Sequence, residues 1–347
     1  MQTRFARLYG QRDLKIEEGP VTAPREGEVL LKMAAGGICG SDLHYYQDGG
    51  FGPIRVREPI IPGHEAAGYI EGIGPGVSGL SFGQLVAVNP SQPCGKCRFC
   101  LDGLSIHCLD MQFMGSAMRL PHAQGMFRDY LVVPAIQCLP AGNGISAGEA
   151  ACSEPLAVCL HAVSRAGDLS GKKVLVTGAG PIGVLVVAAA RHAGAAEIIV
   201  TDLTDAALER AKAMGASRTI NIAKDATAFA EFEAEKGQFD IAFECSAASP
   251  AIRNAIAAVK PRGTIVQVGV SGDTTVPLNA LVGKELHWIG SQRFDAEFAE
   301  AIKLISSRKI DVRPIISHTF TVSQAVEAFE TAGDRSLACK VQLTFLN

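Results

Sequence analysis

The sequence predicts an α/β chain of two parts, an irregular mostly-β domain with long loops and a doubly wound parallel sheet. Three observations predict it. Residues 1 to about 150 are rich in Gly, Pro and short β-type runs such as "EVLLKMAAGGI", "AAGYIEGI", "QLVAVNP" and "DYLVVPA". From about 155 to 290, strand-like and helix-like segments alternate, which is the texture of βαβ units. One of those units carries Gly-x-Gly-x-x-Gly between its strand and its helix. With 347 residues, the chain is long enough for two cored domains.

In the second part, "KKVLVTG" reads as a buried strand and "PIGVLVVAAARHAG" as a helix that Gly194 ends. "EIIVTD" is the next strand and "DAALERAKAMG" the next helix. "TIN", "FDIAFECS", "GTIVQVG" and "LHWIGS" supply further strands, with "AIRNAIAAVK" helical between them. The tail adds the helix "EFAEAIKLISSR" and a strand-like "CKVQLTF". The boundaries expected are 1–154 with 290–347 for the β-rich domain, including a lobe at 90–110, and 155–289 for the parallel sheet.

Composition excludes several classes. Net charge is −3 and no Lys/Arg run stands out, so nucleic acid and anionic membrane are poor partners. Apolar residues make up 48%, too many for a disordered chain. The start has no apolar h-region, and the longest greasy stretch, "VLVVAAA", is far short of a span. A soluble cytoplasmic protein is expected. There the ten cysteines would stay reduced, with Cys138, Cys159, Cys245 and Cys339 acting as small core residues.

"VLVTGAGPIGVL" holds Gly178, Gly180 and Gly183 in strand–turn–helix context. Gly178 permits the tight turn, Gly180 lets the backbone approach a pyrophosphate, and Gly183 lets helix and strand pack closely. The helix N-terminus offers free N–H groups and a positive dipole end to that anion. The next strand ends in Asp202, about twenty residues on, where a carboxylate can accept hydrogen bonds from ribose hydroxyls and repel a 2′-phosphate. Leu203-Thr204-Asp205 offers no Arg, so NAD is expected over NADP.

Cys94, Cys97, Cys100 and Cys108 follow the spacing C-x2-C-x2-C-x7-C. Short gaps let one loop wrap thiolates around a tetrahedral ion, and zinc suits soft sulfur. A closed shell of four thiolates leaves no seat for substrate, so this group should hold a loop. A redox pair or an iron–sulfur cluster are the other chemistries the spacing admits. His107 is expected at the surface. Cys39, His64, Glu65 and Glu154 could form a second, open zinc site. A lone Cys in an apolar stretch is more often core, and spacing leaves both readings open.

Together "GICGSDLHYY", "GHEAAGYIEGIGPGV", "GQLVAVNPSQPCGKCRFC", "SEPLAV" and "VLVTGAGPIG" resemble a zinc-dependent medium-chain dehydrogenase of the polyol branch, over essentially the whole chain. The resemblance implies a GroES-like catalytic domain, a Rossmann domain and two zinc ions per chain, one catalytic and one structural. It implies that Cys39 and His64 bind catalytic zinc directly, that Glu65 does so directly or through water, and that Glu154 binds through water and touches substrate. Cys152 is a rival ligand of low merit. Ser41 matches the hydroxyl that takes the alcohol's proton and His44 the relay onward. Tyr45 and Arg293 match substrate contacts, with Phe294 where a tyrosine is usual; a packed aromatic and a surface charge are the plain readings. Cofactor contacts fall on Gly178, Gly180, Pro181, Ile182, Gly183, Asp202, Val268, Gly269, Val270, Ser291 and Gln292.

The implied reaction is reversible oxidation of a secondary alcohol of a sugar acid or polyol. A sugar-acid carboxylate needs a cation, for which Arg293, Arg119 and His122 are candidates. A neutral-polyol enzyme with the same machinery is the first alternative, and a catalytically silent crystallin-like protein of the same fold a remote second. A homotetramer, with edge strands of the parallel sheets pairing, is the expected assembly.

Overall fold

The computed structural model describes residues 1–225, 227–270 and 272–346. The chain divides into two units. The first holds Met1–Glu154, Phe298–Arg308 and the chain from Ile316 onward; the second holds Pro155–Glu297 and Lys309–Ile315. The units divide after Glu154, and the chain re-enters the first unit at Phe298, within the helix Glu297–Ser306 that buries Phe298, Ala301, Ile302, Leu304 and Ile305.

The first unit is built on a seven-stranded sheet. Its spine, Glu28–Gly37, is buried along most of its length and pairs antiparallel with Glu65–Ile73, Tyr130–Pro134 and Lys340–Thr344. The apolar side chains of those strands (Leu31, Met33, Ile70, Leu131, Leu343) pack with Phe127 and Phe329 in one core. Two register facts matter for the site. Gly37 lies opposite Glu65 on one side and opposite Gln342 on the other. The end of the spine and the starts of two neighbouring strands, far apart in sequence, therefore meet at one edge. The cysteine lobe hangs between the short paired strands Ser91–Gln92 and Gln112–Phe113, and holds only a four-residue helix, Arg98–Leu101, and one 3-10 turn.

The second unit is a six-stranded, all-parallel sheet. In space the strands run Arg218–Asn221, Glu197–Asp202, Lys173–Thr177, Phe239–Glu244, Val259–Gln267 and His287–Gly290. This is the doubly wound order, with the strand order reversing between Lys173–Thr177 and Phe239–Glu244. Every strand read from the sequence is present. Val174, Leu175, Val176 and Ile198, Ile199, Val200 are fully buried, as a sheet covered on both faces requires. The helix Pro181–His192 opens with Gly180 as N-cap and Pro181 in its first turn; proline there gives up no helical hydrogen bond. No helix among the described residues is long and apolar enough to cross a membrane.

Candidate functional site

The first unit brings Cys39, His64 and Glu65 together, with ligand atoms all within 4.8 Å of one another. The register explains it. Cys39 follows the spine strand and caps the helix Gly40–Asp48, while His64 and Glu65 open the antiparallel neighbour. His64 and Glu65 are buried. Asp42, which the sequence reading did not single out, ties the two segments. Its Oδ2 accepts from the Cys39 amide at 3.0 Å and its Oδ1 from the Gly63 amide at 3.1 Å. The same Oδ1 stands 3.7 Å from His64 Nδ1. Burial pushes the Asp42 carboxyl above its ordinary range. Burial works against a charged His64 ring, but Asp42, Cys39 and Glu154 outweigh it and raise its pKa well above the usual value. The pocket is thus strongly anionic, a setting that favours a cation.

Lys340, also missed, is the counterweight. It is 2% exposed and donates from Nζ to Glu65 Oε1 at 2.6 Å and to the Ile38 carbonyl at 3.3 Å. Burial disfavours its charge, yet Glu65 and Cys39 more than restore it and hold it protonated above its usual range. The second carboxylate oxygen, Glu65 Oε2, is buried with no hydrogen-bond partner. A Cβ on Gly37 would lie 2.1 Å from it, so only glycine makes room for that carboxylate. A buried orphan oxygen beside a thiol and an imidazole fits a divalent metal. The S, N and O donor set suits zinc.

Glu154 is buried in the first turn of the helix Ser153–Ala166 and stands outside the 4.8 Å group, though its charge acts on His64. Cys152 is also outside the group; burial drives its thiol pKa up, and Gln342 Nε2 lies 3.7 Å from its sulfur.

Cys94, Cys97, Cys100 and Cys108 form the second group. Cys97 Sγ is 3.6 Å from Cys100 Sγ and 3.9 Å from Cys108 Sγ. Backbone amides point at the sulfurs: Cys97 N to Cys94 at 3.3 Å, Leu109 N to Cys97 at 3.5 Å, Cys94 N and Asp110 N to Cys108 at 3.1 and 3.3 Å. Such amides stabilise thiolates. Those from Leu109 and Cys100 hold Cys97 down to about 6, while desolvation pushes Cys100 up to about 12. None of the ten cysteines is in a disulfide, and His107 is exposed. Cys138, Cys159 and Cys339 are buried as expected; Cys245 is only half-buried.

In the second unit, Gly178 adopts φ +86°, and a Cβ on Gly183 would lie 1.8 Å from the Gly178 carbonyl. Asp202 Oδ2 accepts from the Ala179 amide at 2.7 Å, which draws the carboxylate onto the glycine turn. Its Oδ1 accepts from Leu203 N and Thr204 N.

The remaining candidates separate. Ser41 and His44 lie on the helix Gly40–Asp48; His44 is part-exposed, with Nδ1 3.0 Å from Asp48 Oδ2. Tyr45 is buried and its hydroxyl accepts from the Ala117 amide at 3.2 Å, so its oxygen is anchored to the chain. Two substrate candidates have partners within the chain. Arg119 donates to Asp110 Oδ1 at 2.8 Å, beside the cysteine lobe. Both ring nitrogens of His122 are occupied by backbone, Nε2 by the Arg57 amide at 3.0 Å and Nδ1 by the Arg119 carbonyl at 2.7 Å. Arg293 is half-buried at φ +51°, and Phe294 is buried.

Comparison with known proteins agrees with this construction. Residues 25–143 match the alcohol dehydrogenase GroES-like domain and residues 181–307 the zinc-binding dehydrogenase family. The chain belongs to the zinc-containing medium-chain dehydrogenases, in their sorbitol dehydrogenase-like branch. It is 38% identical over 346 residues to L-idonate 5-dehydrogenase (NAD(P)(+)) of Escherichia coli K12, covering 99% of each chain. It is 35% identical over 334 residues to sorbitol dehydrogenase of Bacillus subtilis, covering 95% of this chain and 93% of that one. The crystal structure of the E. coli L-idonate 5-dehydrogenase superposes with a TM-score of 0.95 over 99% of this chain and 98% of that one. An E. coli CFT073 dehydrogenase complexed with NADH gives 0.88 at 29% identity, over 99% of both chains.

Proposed function

We propose that this enzyme oxidises a secondary alcohol of a sugar acid, most closely L-idonate to its 5-keto acid, with NAD as acceptor. The buried Cys39–His64–Glu65 group with its orphan Glu65 oxygen carries the reading of an open metal site. The full-length similarity to an L-idonate 5-dehydrogenase supports the substrate class.

Cys39, His64 and Glu65 would hold the catalytic zinc, with Glu154 at its margin; the four-cysteine group would hold the structural ion. Zinc, when bound, supplies Lewis acidity that makes an alcohol easier to deprotonate. NAD, when bound, supplies the hydride acceptor. The alcohol's hydroxyl proton passes to Ser41 and then His44. Ser41 and His44 are three residues apart on one helix, so they share a face. That face ends in a part-exposed ring held by Asp48, an exit for a proton. Asp202, with no Arg after it, supports NAD over NADP. Arg293, which the family resemblance places among the substrate contacts, is our candidate for the cation that meets a substrate carboxylate. Ten cysteines without a disulfide between them support a reducing, cytoplasmic setting. A homotetramer remains our proposal for the assembly.

The second reading is a sorbitol- or xylitol-type polyol dehydrogenase, which the similarity to sorbitol dehydrogenases supports. Steady-state kinetics on matched aldonates and polyols, each with NAD and NADP, separate the two. The sugar-acid reading expects the highest kcat/KM on L-idonate and a selective rise in KM for aldonates in Arg293→Gln. Equal efficiency on sorbitol, or no KM change in that variant, refutes it.

A further inference from the structure

The carboxyl edge of the parallel sheet carries a buried carboxylate that neither the metal groups nor the glycine turn use. Glu244 ends the strand Phe239–Glu244 and is fully buried. Its Oε1 accepts from Thr177 Oγ1 at 3.2 Å, Ser246 N at 3.0 Å, Ser246 Oγ at 2.5 Å and Ala247 N at 3.0 Å. Its Oε2 accepts from Ala247 N at 2.9 Å and Gln267 Nε2 at 2.6 Å. Its own carbonyl accepts from Val268 N and Gly269 N at 2.9 and 2.8 Å. None of these donors is a cation. A buried carboxylate without a counterion is tolerated only when hydrogen bonds satisfy it, and here they come from three separate segments.

The three segments have little slack. Ala247 takes φ +58°, a left-handed conformation that a non-glycine residue keeps only where its surroundings hold it, and its amide is forked between both Glu244 oxygens. A Cβ on Gly178 would lie 2.9 Å from Ser246 Cβ, and one on Gly269 would lie 2.7 Å from Ala247 N. The glycine turn, residues 245–248 and residues 267–270 are therefore packed backbone to backbone around one carboxylate.

The location gives this meaning. The strand order reverses between Lys173–Thr177 and Phe239–Glu244, and in such sheets a dinucleotide lies across the carboxyl edge at that reversal. Asp202 stands one strand to one side, where the adenosine ribose belongs. Glu244 and Gln267 stand on the other, where the nicotinamide half would fall. We infer that Glu244 is a positioning residue for the nicotinamide half of the dinucleotide, holding residues 245–248 and 268–270 as a preformed wall for it. The inference rests on the cofactor reading above.

The test compares NADH with ADP, which occupies only the adenosine half, by titration calorimetry on the full-length zinc-loaded enzyme. Glu244→Gln keeps the size but turns one acceptor into a donor facing the Ala247 amide. NADH should bind at least tenfold more weakly, with ADP affinity within about twofold. Gln267→Ala, a milder change that removes the 2.6 Å donor, should show the same split at smaller size and serves if Glu244→Gln does not fold. Equal weakening of both ligands, or of neither, overturns the inference. A wild-type chain that binds neither ligand overturns the cofactor reading, and this inference with it.

Discussion

The two metal-ligand groups of the first unit solve the same electrostatic problem in opposite ways. The four-cysteine group lies within residues 94–108 and is only half-buried; its sulfurs are held by amides at most two residues from a ligand. The Cys39–His64–Glu65 group is mostly buried, and its supports come from Asp42, from Lys340 some 275 positions away, and from the empty side-chain space at Gly37. A closed shell of thiolates can be local because backbone N–H groups accompany any tight loop. A group that keeps a seat open for substrate must be held from outside, since its own ligands do not close the shell.

The largest effect should come from breaking the open group. His64→Ala should lower kcat/KM about a thousandfold or more, several kcal/mol of lost Lewis-acid catalysis, and reduce zinc from two ions per chain to one. Metal analysis with kinetics measures both. A variant that keeps two zinc ions and full activity would erase the distinction between the groups. Cys100→Ser, in the closed group, should also drop one zinc but leave the reaction largely running. Its signature should be rapid proteolysis within the lobe, because the ion's binding energy is that lobe's folding energy. Mass-spectrometric mapping of limited digests shows where the cuts fall.

Next come the supports. Lys340→Met strands Glu65 as a buried charge, and catalytic-zinc affinity should change by roughly 10- to 100-fold. Chelator competition reads the change, which Lys340→Arg should partly rescue. Asp42→Asn should have a similar but smaller effect. No equivalent remote support exists to remove from the cysteine group among the described contacts.

The smallest effect gives the scale for an ion pair without metal. His161 Nδ1 stands 2.9 Å from Glu297 Oε1, in the second unit. Burial alone would raise Glu297, but hydrogen bonds from His161 and the Asp295 amide outweigh it and bring it down to about 2. A lowered carboxyl pKa stabilises the fold above its unfolded value near 4.5 and loses that contribution as pH falls toward 2. Glu297→Gln should therefore be less stable by about 1–2 kcal/mol at pH 5–6, allowing for solvent screening, with the difference vanishing near pH 2. Urea unfolding across that range measures it. A difference that persists at pH 2 would assign it to packing rather than charge.

The same contrast governs what could be read early. The cysteine spacing, the glycine turn with Asp202 and the strand–helix alternation are local patterns, and their places in the structure follow from them. Asp42, Lys340 and Glu244 gave no signal, because a single acid or lysine in a strand or helix does not show what it will face. Arg119 and His122 stood out as basic residues, while the partners they meet, Asp110 and the Arg57 amide, did not.

Sequence by itself determined the elements, the four-cysteine set and the dinucleotide turn, since each depends on residue type and short spacing. Only the tertiary structure decided which carboxylates are freed for a metal and which are spent on backbone. That depends on strand register: it places Gly37 against Glu65 and brings Lys340 in behind them, and burial there makes every unpaired charge expensive.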